Sequence, residues 1–486
     1  MDPPAAQCDH RAAEEWESVF VKAIKPLVIS GKEVLPLVEG GKGIAVSNGE
    51  SSGAWAAAGG VGTFSGVNAD YYDEQGNHIP CVFHGKTRSE RHEELIDMGI
   101  RGAINQARIA HEMSNGQGRI HMNVLWEMGG SERVLEGALA GAKGLIHGVT
   151  CGAGMPYRVA EIAMRHGIYY YPIVSSARAF KALWKRSYHK APELLGGVVY
   201  EDPWLAGGHN GLSNVEDPRV PQDPRPRVVE LRATMRALGV PEVPVLMAGG
   251  VWALRDWEDW IEEADVGPVA FQFGTRPLLT QESPISQQWK DRLLTLKPGD
   301  VLLHRFSPTG FYSSAVKNAF LKDLEDRSDR QVAYTREPEG DKTEAIAIGA
   351  RGRNIFVTPA DKPKVEGWLA AGYVQGMRTP DHTMIFVTEE QSFRILKDQK
   401  DCMGCLSACS FSNWSQHSAD LSTGKTADPR SFCIQKTLQN IAHGEDVENE
   451  LMFAGHNAYR FGTDPFYANG FVPTVKQLVD RLMTGD

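Results

Sequence analysis

The sequence has little of what membrane, secreted or nucleic-acid-binding proteins require. No stretch offers the roughly 18 uninterrupted apolar residues of a membrane span, and the most apolar stretch, 137–149, is interrupted by Lys143 and His147. The N-terminus shows no basic segment followed by an apolar run, so we expect no secretory signal. Acidic residues outnumber basic ones by 61 to 51, which provides no basic field for nucleic acid. We therefore expect a small-molecule substrate, and neither a membrane nor a nucleic-acid partner.

Cysteine is also scarce. The chain has 7 cysteines in 486 residues, an odd number, and three of them lie between Cys402 and Cys409. This is not the pattern of a secreted disulfide framework, and a reducing, cytoplasmic location fits better.

Glycine is abundant, with 50 residues, while the apolar (42%) and charged (23%) shares are those of a soluble globular protein. Between about residues 35 and 290, short apolar runs alternate with longer segments of helical periodicity. The predicted strands are 34–37, 61–64, 120–125, 144–147, 169–174, 197–200, 243–247 and 269–273. The predicted helices are 89–112, 131–142, 157–166, 177–185 and 227–238.

Eight strands alternating with helices indicate an α/β fold. A (β/α)₈ TIM barrel and an open doubly wound sheet both give this alternation, and the glycines that cluster after the strands favour the barrel. We expect an N-terminal extension (1–33), the barrel (34–325), a small α+β insertion (326–400) and a cysteine-rich segment with a C-terminal helix (401–486). A helix is also predicted over 313–324 and another over 475–483.

Two glycine-containing segments follow the last two predicted strands. The first is MAGGV at 247–251, and the second is QFGT at 272–275. Glycines at strand ends let main-chain N–H groups approach a phosphate, and barrel enzymes often hold phosphate with the loops after strands seven and eight. Either segment alone is most simply a tight turn, but together they predict a phosphate site. No Walker lysine and no GxGxxG fingerprint accompanies them.

His209 lies in AGGHNG at 206–211, just after the sixth predicted strand. A single histidine is usually structural. Here the flanking glycines leave its ring unobstructed at the catalytic end of the barrel, and a pKa near 6.5 suits proton exchange at neutral pH.

Taken in order, these motifs resemble the nitronate monooxygenase family, whose members are FMN-binding TIM barrels. The motifs are GGVG at 59–62, Asn123, Gly207-Gly208-His209, Ala248-Gly249-Gly250 and 272–275. The resemblance covers about 40–325 and ends with 313–320, which looks like the family's helix after the barrel.

The resemblance implies a role for each matching residue. His209 is the catalytic base near the flavin, and Asn123 and Gln272 bond the flavin ring or its ribityl chain. The remaining cofactor-binding residues are Gly207, Gly208, Gly249, Gly250, Phe273, Gly274 and Thr275, of which Gly249, Gly250, Gly274 and Thr275 hold the phosphate. The chain departs from the family at Glu201, where a glutamine is common, and at Asn210, where an arginine often follows the histidine. An acidic group at 201 is expected to disfavour an anionic substrate.

The cysteine segment is a second departure. Cys402, Cys405 and Cys409 give C-x₂-C-x₃-C, and Cys433 follows at a distance. Four such thiols suit a Zn²⁺ ion or a [4Fe–4S] cluster, with His417 and His443 as substitutes for the fourth ligand. Three unligated thiols and a CxxC redox pair are the alternatives. A flavin in the same chain favours iron–sulfur slightly. Cys151, in the segment 149–155, is expected to line the pocket.

Three functions follow from these observations. The first is an FMN-dependent oxidoreductase that oxidises alkyl nitronates or related carbon acids. The second is an NAD(P)H-dependent flavin reductase of enoyl, enone or quinone substrates, with the cysteine centre as an electron relay. The third is a metal-stabilised scaffold or RNA-modifying partner with a structural zinc ion. The sequence leaves open whether the chain forms a homo-oligomer or uses a separate electron-transfer partner.

Overall fold

Eight parallel strands close into a barrel in the computed structural model, which describes residues 22–349 and 352–486. The strands are β1 Leu37–Glu39, β2 Val61–Ser65, β3 Arg119–Leu125, β4 Gly148–Gly152, β5 Tyr169–Val174, β6 Val198–Glu201, β7 Val245–Ala248 and β8 Val269–Phe273. Each strand pairs with its neighbour in sequence, and β8 pairs with β1 to complete the ring. The predicted (β/α)₈ barrel is confirmed.

Two predicted strands are displaced by three or four residues. The first was expected at 34–37 and lies at Leu37–Glu39, because Lys32–Val34 instead pairs antiparallel with Leu27–Ile29. The fourth was expected at 144–147 and lies at Gly148–Gly152. Gly144 has a φ of +81°, which belongs to a turn, and Ile146 is buried as part of the preceding loop. Apolar residues within 34–37 and 144–147 are buried in the segments that lead into the two strands.

Helices surround the barrel. They are α1 Gly49–Ala57, α2 Arg88–Ser114, α3 Ser131–Gly141, α4 Val159–His166, α5 Ala177–Arg186, α6 Pro224–Ala237 and α7 Gln287–Leu294. Periodicity predicted α2 to α6, whereas α1 was missed. A capping box between Thr87 and Glu90 fixes the start of α2. Short 3₁₀ turns, Leu254–Trp260 and Arg276–Leu279, follow β7 and β8 in place of long helices.

The hairpin formed by Leu27–Ile29 and Lys32–Val34 closes the N-terminal end of the barrel. Ile29 and Val34 pack with inward-facing barrel residues, and the Ser30 hydroxyl lies 2.7 Å from the Tyr171 hydroxyl. The opposite, C-terminal end is therefore the open one, as in barrel enzymes generally.

The segment after the barrel differs from its prediction. The expected helix over 313–324 is a strand, Ser313–Val316, followed by α8, Ala319–Asp329. That strand pairs with Val301–His304 on one side and with Gly208–His209 on the other. Asn318 accepts a hydrogen bond from the Leu321 N–H and starts α8 there. Residues 313–318 are therefore not helical, although the resemblance predicted a helix over 313–320, of which Ala319 and Phe320 alone lie in α8.

A small α+β unit and a long C-terminal segment complete the chain. The unit contains a sheet of Gln331–Ala333, Gln375–Arg378 and Thr383–Val387, a hairpin of Glu344–Ile348 and Arg353–Val357, and the helices α9 Lys362–Ala370 and α10 Glu389–Lys400. The C-terminal segment contains α11 Ile434–Gln439 and α12 Val475–Met483. The bounds of α12 agree with the prediction, and Thr474 and Gln477 form its capping box.

None of the helices in the described ranges combines the length and the apolar character that crossing a membrane requires.

Candidate active site

A large pocket opens at the C-terminal end of the barrel. The loops after β1, β3, β6, β7 and β8 contribute to its wall, and the C-terminal segment covers one side. Its lining includes most residues that the sequence singled out, namely Asn123, Gly207, Gly208, His209, Gly249, Gly250, Gln272, Gly274 and Thr275.

The loops after β7 and β8 lie next to each other. Ala248 at the end of β7 pairs with Gln272 in β8, and adjacent strands are only about 4.8 Å apart. Gly249 and Gly250 have φ values of +84° and +78°, which other residues adopt at a cost. A side chain at Gly274 would extend into open space, so the missing side chain leaves room in the pocket.

The N–H groups of Gly249, Gly250, Gly274 and Thr275 donate to no acceptor within the part of the chain that the structure describes. Such unpaired main-chain donors are costly unless a ligand or water accepts from them. All four residues line the pocket, and a phosphate is a suitable acceptor. These residues therefore fit the phosphate of FMN.

The C-terminal segment holds the two loops from outside. The Gly455 N–H donates to the Thr275 hydroxyl at 2.8 Å, and the Asn457 side chain donates to the Gly250 carbonyl at 2.7 Å. Both contacts leave the loop N–H groups free. The segment thus positions the donors without occupying them.

Asn123 and Gln272 lie at the ends of β3 and β8 and reach the pocket. Gly41 packs against Asn123 so closely that a Cβ at 41 would lie 2.2 Å from the Asn123 Cβ. Phe273 differs from its expected role, because its buried ring packs against Trp55, with the ring centroids 6.1 Å apart. Phe273 therefore belongs to the core. The Phe273 carbonyl accepts a hydrogen bond from the Gly40 N–H at 2.8 Å, which joins the loop after β1 to β8.

His209 projects from the two-residue strand Gly208–His209. Its Nε2 atom lies 2.7 Å from the Ser307 hydroxyl, and its ring meets the Phe453 ring edge-on with the centroids 5.2 Å apart. Burial lowers the pKa of His209 to about 4. At neutral pH the ring is uncharged and can accept a proton, as a base beside a cofactor must.

Lys42 and Glu201 are charged-type side chains of the pocket lining, and Glu39 contacts Lys42 from behind. Lys42 is the one lysine or arginine among the described residues that line the pocket. It donates to Glu39 at 3.2 Å and to the Gly40 carbonyl at 2.7 Å, and burial lowers its pKa. Burial, with a smaller contribution from Asp202, raises the pKa of Glu201 to about 8. Glu201 is therefore mostly protonated at pH 7.

The four cysteines of the C-terminal segment lie near one another and beside the pocket. Cys402, Cys405 and Cys409 are buried, and Cys433 is half-buried. Burial raises the pKa of the Cys405, Cys409 and Cys433 thiols, to about 11 for Cys409 and about 12 for Cys433. The neighbouring thiols contribute to each of these shifts.

The thiol sulfur atoms lie farther apart than the four ligands of one tetrahedral zinc ion. Four sulfur atoms at about 2.3 Å from one ion lie roughly 3.8 Å apart. Within the described ranges, no three of the cysteine sulfur atoms lie within 4.8 Å of one another. His443 is engaged elsewhere, 2.6 Å from Asp70. A [4Fe–4S] cluster binds each thiolate through a different iron atom and so needs a wider spacing.

Cys151 lies inside β4, although the sequence had suggested a position after it. Its side chain is fully buried in the core and does not line the pocket, whereas Gly152 and Ala153 do. Burial raises the pKa of its thiol. Cys151 is a packing residue.

Sequence reasoning missed the residues that come from distant segments. Gly40, Gly41 and Lys42 follow β1 in the same way that the recognised glycines follow β7 and β8, so that pattern could have indicated them. Further missed lining residues belong to the C-terminal segment and include Gln435, Leu438, Met452, Phe453, Gly455 and Asn457. No local motif distinguishes them.

The fold places free main-chain N–H groups and His209 in one pocket at the C-terminal end of the barrel. The sequence profile of the nitronate monooxygenase family matches residues 142–484, more than two thirds of the chain. The chain therefore belongs to the nitronate monooxygenase family and is an FMN-dependent oxidoreductase. This family assignment contradicts the scaffold hypothesis. The match extends through the C-terminal segment, beyond the expected limit of 325.

Two solved structures of low sequence identity share the fold. FabK from Thermotoga maritima is 13% identical, with a TM-score of 0.50, and the alignment covers 93% of this chain and 92% of that one. The enoyl reductase domain of MlnA from the macrolactin cluster of Bacillus amyloliquefaciens is 12% identical, with a TM-score of 0.51 and 93% of both chains covered. A nitroalkane oxidase from Streptomyces ansochromogenes is 18% identical, with a TM-score of 0.42, over 60% of this chain and 78% of that one. No curated protein matches the chain in sequence.

Proposed function

We propose that the enzyme oxidises alkyl nitronates or related carbon acids, with dioxygen as the electron acceptor. The observation that carries this proposal is the uncharged His209 in a pocket whose free main-chain N–H groups suit the phosphate of FMN. FMN supplies the redox chemistry by taking electrons from the substrate and passing them to oxygen. The protein then needs to bind the cofactor, orient the substrate and transfer a proton to or from it. The pocket offers main-chain N–H groups for binding and His209 for proton transfer.

His209 is the proposed base that removes the α-proton of the substrate and holds it. Its Nε2 atom contacts the Ser307 hydroxyl, which is itself 2.8 Å from the Thr309 hydroxyl. This chain of hydroxyl groups fixes the ring orientation and can pass a proton on. With a neutral carbon acid as substrate, His209 removes the α-proton, and with a preformed nitronate it orients the carbon.

Glu201 resolves the expected conflict with an anionic substrate. Its carboxyl group lines the same pocket, and its pKa of about 8 keeps it mostly uncharged at neutral pH. A neutral carboxyl does not repel a nitronate and can donate a hydrogen bond to it. Lys42 contributes positive charge nearby, partly balanced by Glu39.

The pH dependence of nitronate oxidation tests the role of Glu201. As the pH rises through about 8, Glu201 loses its proton and a like charge faces the substrate, so kcat/KM should fall by about tenfold or more. Glu201→Gln carries no ionisable proton and should remove this alkaline decline. Steady-state rates between pH 6 and 10 measure the effect. Glu366→Gln, on the exposed face of α9, is the control and should keep the decline. An identical decline in Glu201→Gln would show that another group causes it.

The decisive test of the function is anaerobic mixing of the purified holoenzyme with an alkyl nitronate. Bleaching of the flavin absorption, followed by recovery of the yellow colour on admitting air, supports the proposal. A flavin that nitronate leaves oxidised, but that NADH or NADPH bleaches rapidly, contradicts it and supports a reductase.

The reductase is the second candidate because the cysteine cluster adjoins the pocket. Cys405 and Leu406 form part of the pocket wall, and the Cys405 carbonyl accepts from the Gly129 N–H at 2.9 Å. A metal centre held by Cys402, Cys405, Cys409 and Cys433 would therefore lie within electron-transfer reach of the flavin. In this alternative, NAD(P)H reduces the flavin, which then reduces an enoyl, enone or quinone substrate.

We propose that these four cysteines hold a [4Fe–4S] cluster, since their spacing does not suit a single zinc ion. Anaerobically purified protein should then contain about four iron atoms per chain and show a broad brown absorption. Cys405→Ser should lose most of this iron. The control Cys81→Ser, whose sulfur lies 3.2 Å from the Met98 sulfur and outside the set, should retain it. Wild-type protein that contains zinc and no iron would overturn the cluster proposal.

A further inference from the structure

A second group of ligating side chains lies outside the cofactor pocket. Asp70 lies in the loop after β2, His78 in the hairpin that follows, and His443 just after α11. The His78 Nε2 atom lies 3.4 Å from one Asp70 oxygen, and the His443 Nε2 atom lies 2.6 Å from the other. Within the described ranges, this is the one set of three such ligand atoms that all lie within 4.8 Å of one another.

The two imidazole rings are arranged as a pair. Their centroids are 3.7 Å apart and their planes differ by 9°, so the rings stack and direct the same nitrogen toward one carboxylate. Two protonated rings at this distance would repel each other strongly. A cation between the three ligand atoms lets both rings stay neutral and ligate through their lone pairs.

The spacing of the ligand atoms suits a transition-metal ion. Zn²⁺ binds histidine nitrogen and carboxylate oxygen at about 2.0–2.2 Å, which places tetrahedral ligands roughly 3.3 Å apart. The observed distances from the Asp70 oxygens to the Nε2 atoms of His443 and His78, 2.6 and 3.4 Å, lie on either side of this value. Asp70 and His78 are partly buried, with side-chain exposed fractions of 14% and 25%, whereas His443 is an exposed residue whose side chain is 28% accessible.

The group also faces a cavity that offers room for the remaining coordination positions. This second cavity is lined by Asp70, His78 and His443 together with Cys81 and Met98. Neither sulfur belongs to the described set of three ligand atoms, and water suits the open positions.

We propose that Asp70, His78 and His443 form a binding site for a divalent transition-metal ion, with Zn²⁺ as the best match. Two of the ligands belong to the barrel, and the third belongs to the C-terminal segment. The metal therefore fastens that segment to the loop after β2. Next to it, the Asn68 side chain donates to Gln435 at 2.7 Å, and both of these residues line the cofactor pocket. The metal site thus stabilises the wall of the pocket without entering it.

The test measures zinc bound to the flavin-loaded full chain. Protein is stripped with a chelator, equilibrated with a small excess of zinc sulfate, passed through a desalting column and analysed for metal. His443→Gln and Asp70→Asn should each bind one zinc ion per chain less than the wild type, whatever the cysteines bind. The control His166→Gln removes a histidine that contacts one carboxylate, Glu136, at 2.6 Å, and its zinc content should equal that of the wild type.

Thermal unfolding provides the second measurement. Zinc sulfate should raise the Tm of the wild type and of His166→Gln, because a ligand that binds only the folded chain stabilises it. The rise should be smaller in His443→Gln by the contribution of this site. Should His443→Gln fail to fold, His78→Gln replaces it in both assays. Equal zinc content in the wild type and in these variants, with equal rises in Tm, would overturn the proposal and leave a hydrogen-bonded Asp–His–His group.

Discussion

Replacing His209 with alanine should leave the protein yellow but slow its turnover by about 10²–10⁴-fold, the usual contribution of a positioned acid–base group. The flavin should stay bound because the proposed phosphate donors lie in the loops after β7 and β8, whereas the His209 side chain contacts the Ser307 hydroxyl. Steady-state rates with a neutral nitroalkane, which must lose its α-proton, measure the loss. A smaller loss is expected with the preformed nitronate.

The controls separate proton transfer from local damage. His189→Ala removes an exposed histidine that contacts only the Trp184 carbonyl, and it should not change turnover. His209→Gln keeps a polar side chain but cannot act as a base near neutral pH, so it should be about as slow as the alanine variant. On the acid side of the wild-type pH profile, kcat/KM should fall near pH 4, where His209 gains its proton. Unchanged turnover in His209→Ala would remove this residue from the mechanism.

Replacing Gly274 with leucine should yield a folded but colourless protein. The new side chain would meet nothing within 4 Å of its Cβ, so the fold can accept it, yet it would extend into the space where the phosphate is expected. Each lost charge-assisted hydrogen bond costs about 1.5–3 kcal/mol. Loss of two of them should weaken FMN binding by about 10²–10⁴-fold. Titration of the stripped protein with FMN, followed by fluorescence, measures the change.

Gly367→Leu is the matched control for this substitution. Gly367 lies in α9 of the small α+β unit, and a Cβ there also meets nothing within 4 Å. This variant should bind FMN as the wild type does. Normal FMN affinity in Gly274→Leu would mean that the phosphate lies elsewhere, and the assignment of the loops after β7 and β8 would then be wrong.

Much of the barrel could be predicted from the sequence because its signals are local. Helices α2 to α6 each have their own periodicity, and α2 and α12 begin at capping boxes that can be read directly. The displaced first and fourth strands show that local signals do not determine the exact bounds of a strand. Residues 34–37 are apolar enough for the barrel, but Val34 pairs with Leu27 in the N-terminal hairpin, and only the closed sheet determines which segment enters it.

The candidate site also contains residues with local sequence signals and residues whose role depends on distant contacts. Glycines after β7 and β8 and the histidine after β6 could be recognised because the carboxyl ends of barrel strands always meet at one face. The contributions of Phe453, Gly455 and Asn457 depend on contacts across roughly 180 to 250 positions of the chain, and their composition carries no trace of that role. The strand Ser313–Val316, predicted as a helix, owes its conformation to pairing with Gly208–His209 and Val301–His304.

The contribution of the C-terminal segment to the pocket wall has a consequence for how the enzyme matures. The ribosome completes all eight barrel strands about 160 residues before it reaches Gln435, and about 180 before Gly455. During that interval the nascent barrel has the proposed phosphate donors but lacks the residues that brace them from outside. We therefore expect stable flavin loading to follow synthesis of the segment around 435–457, and a chain interrupted before it to be released as an apoprotein.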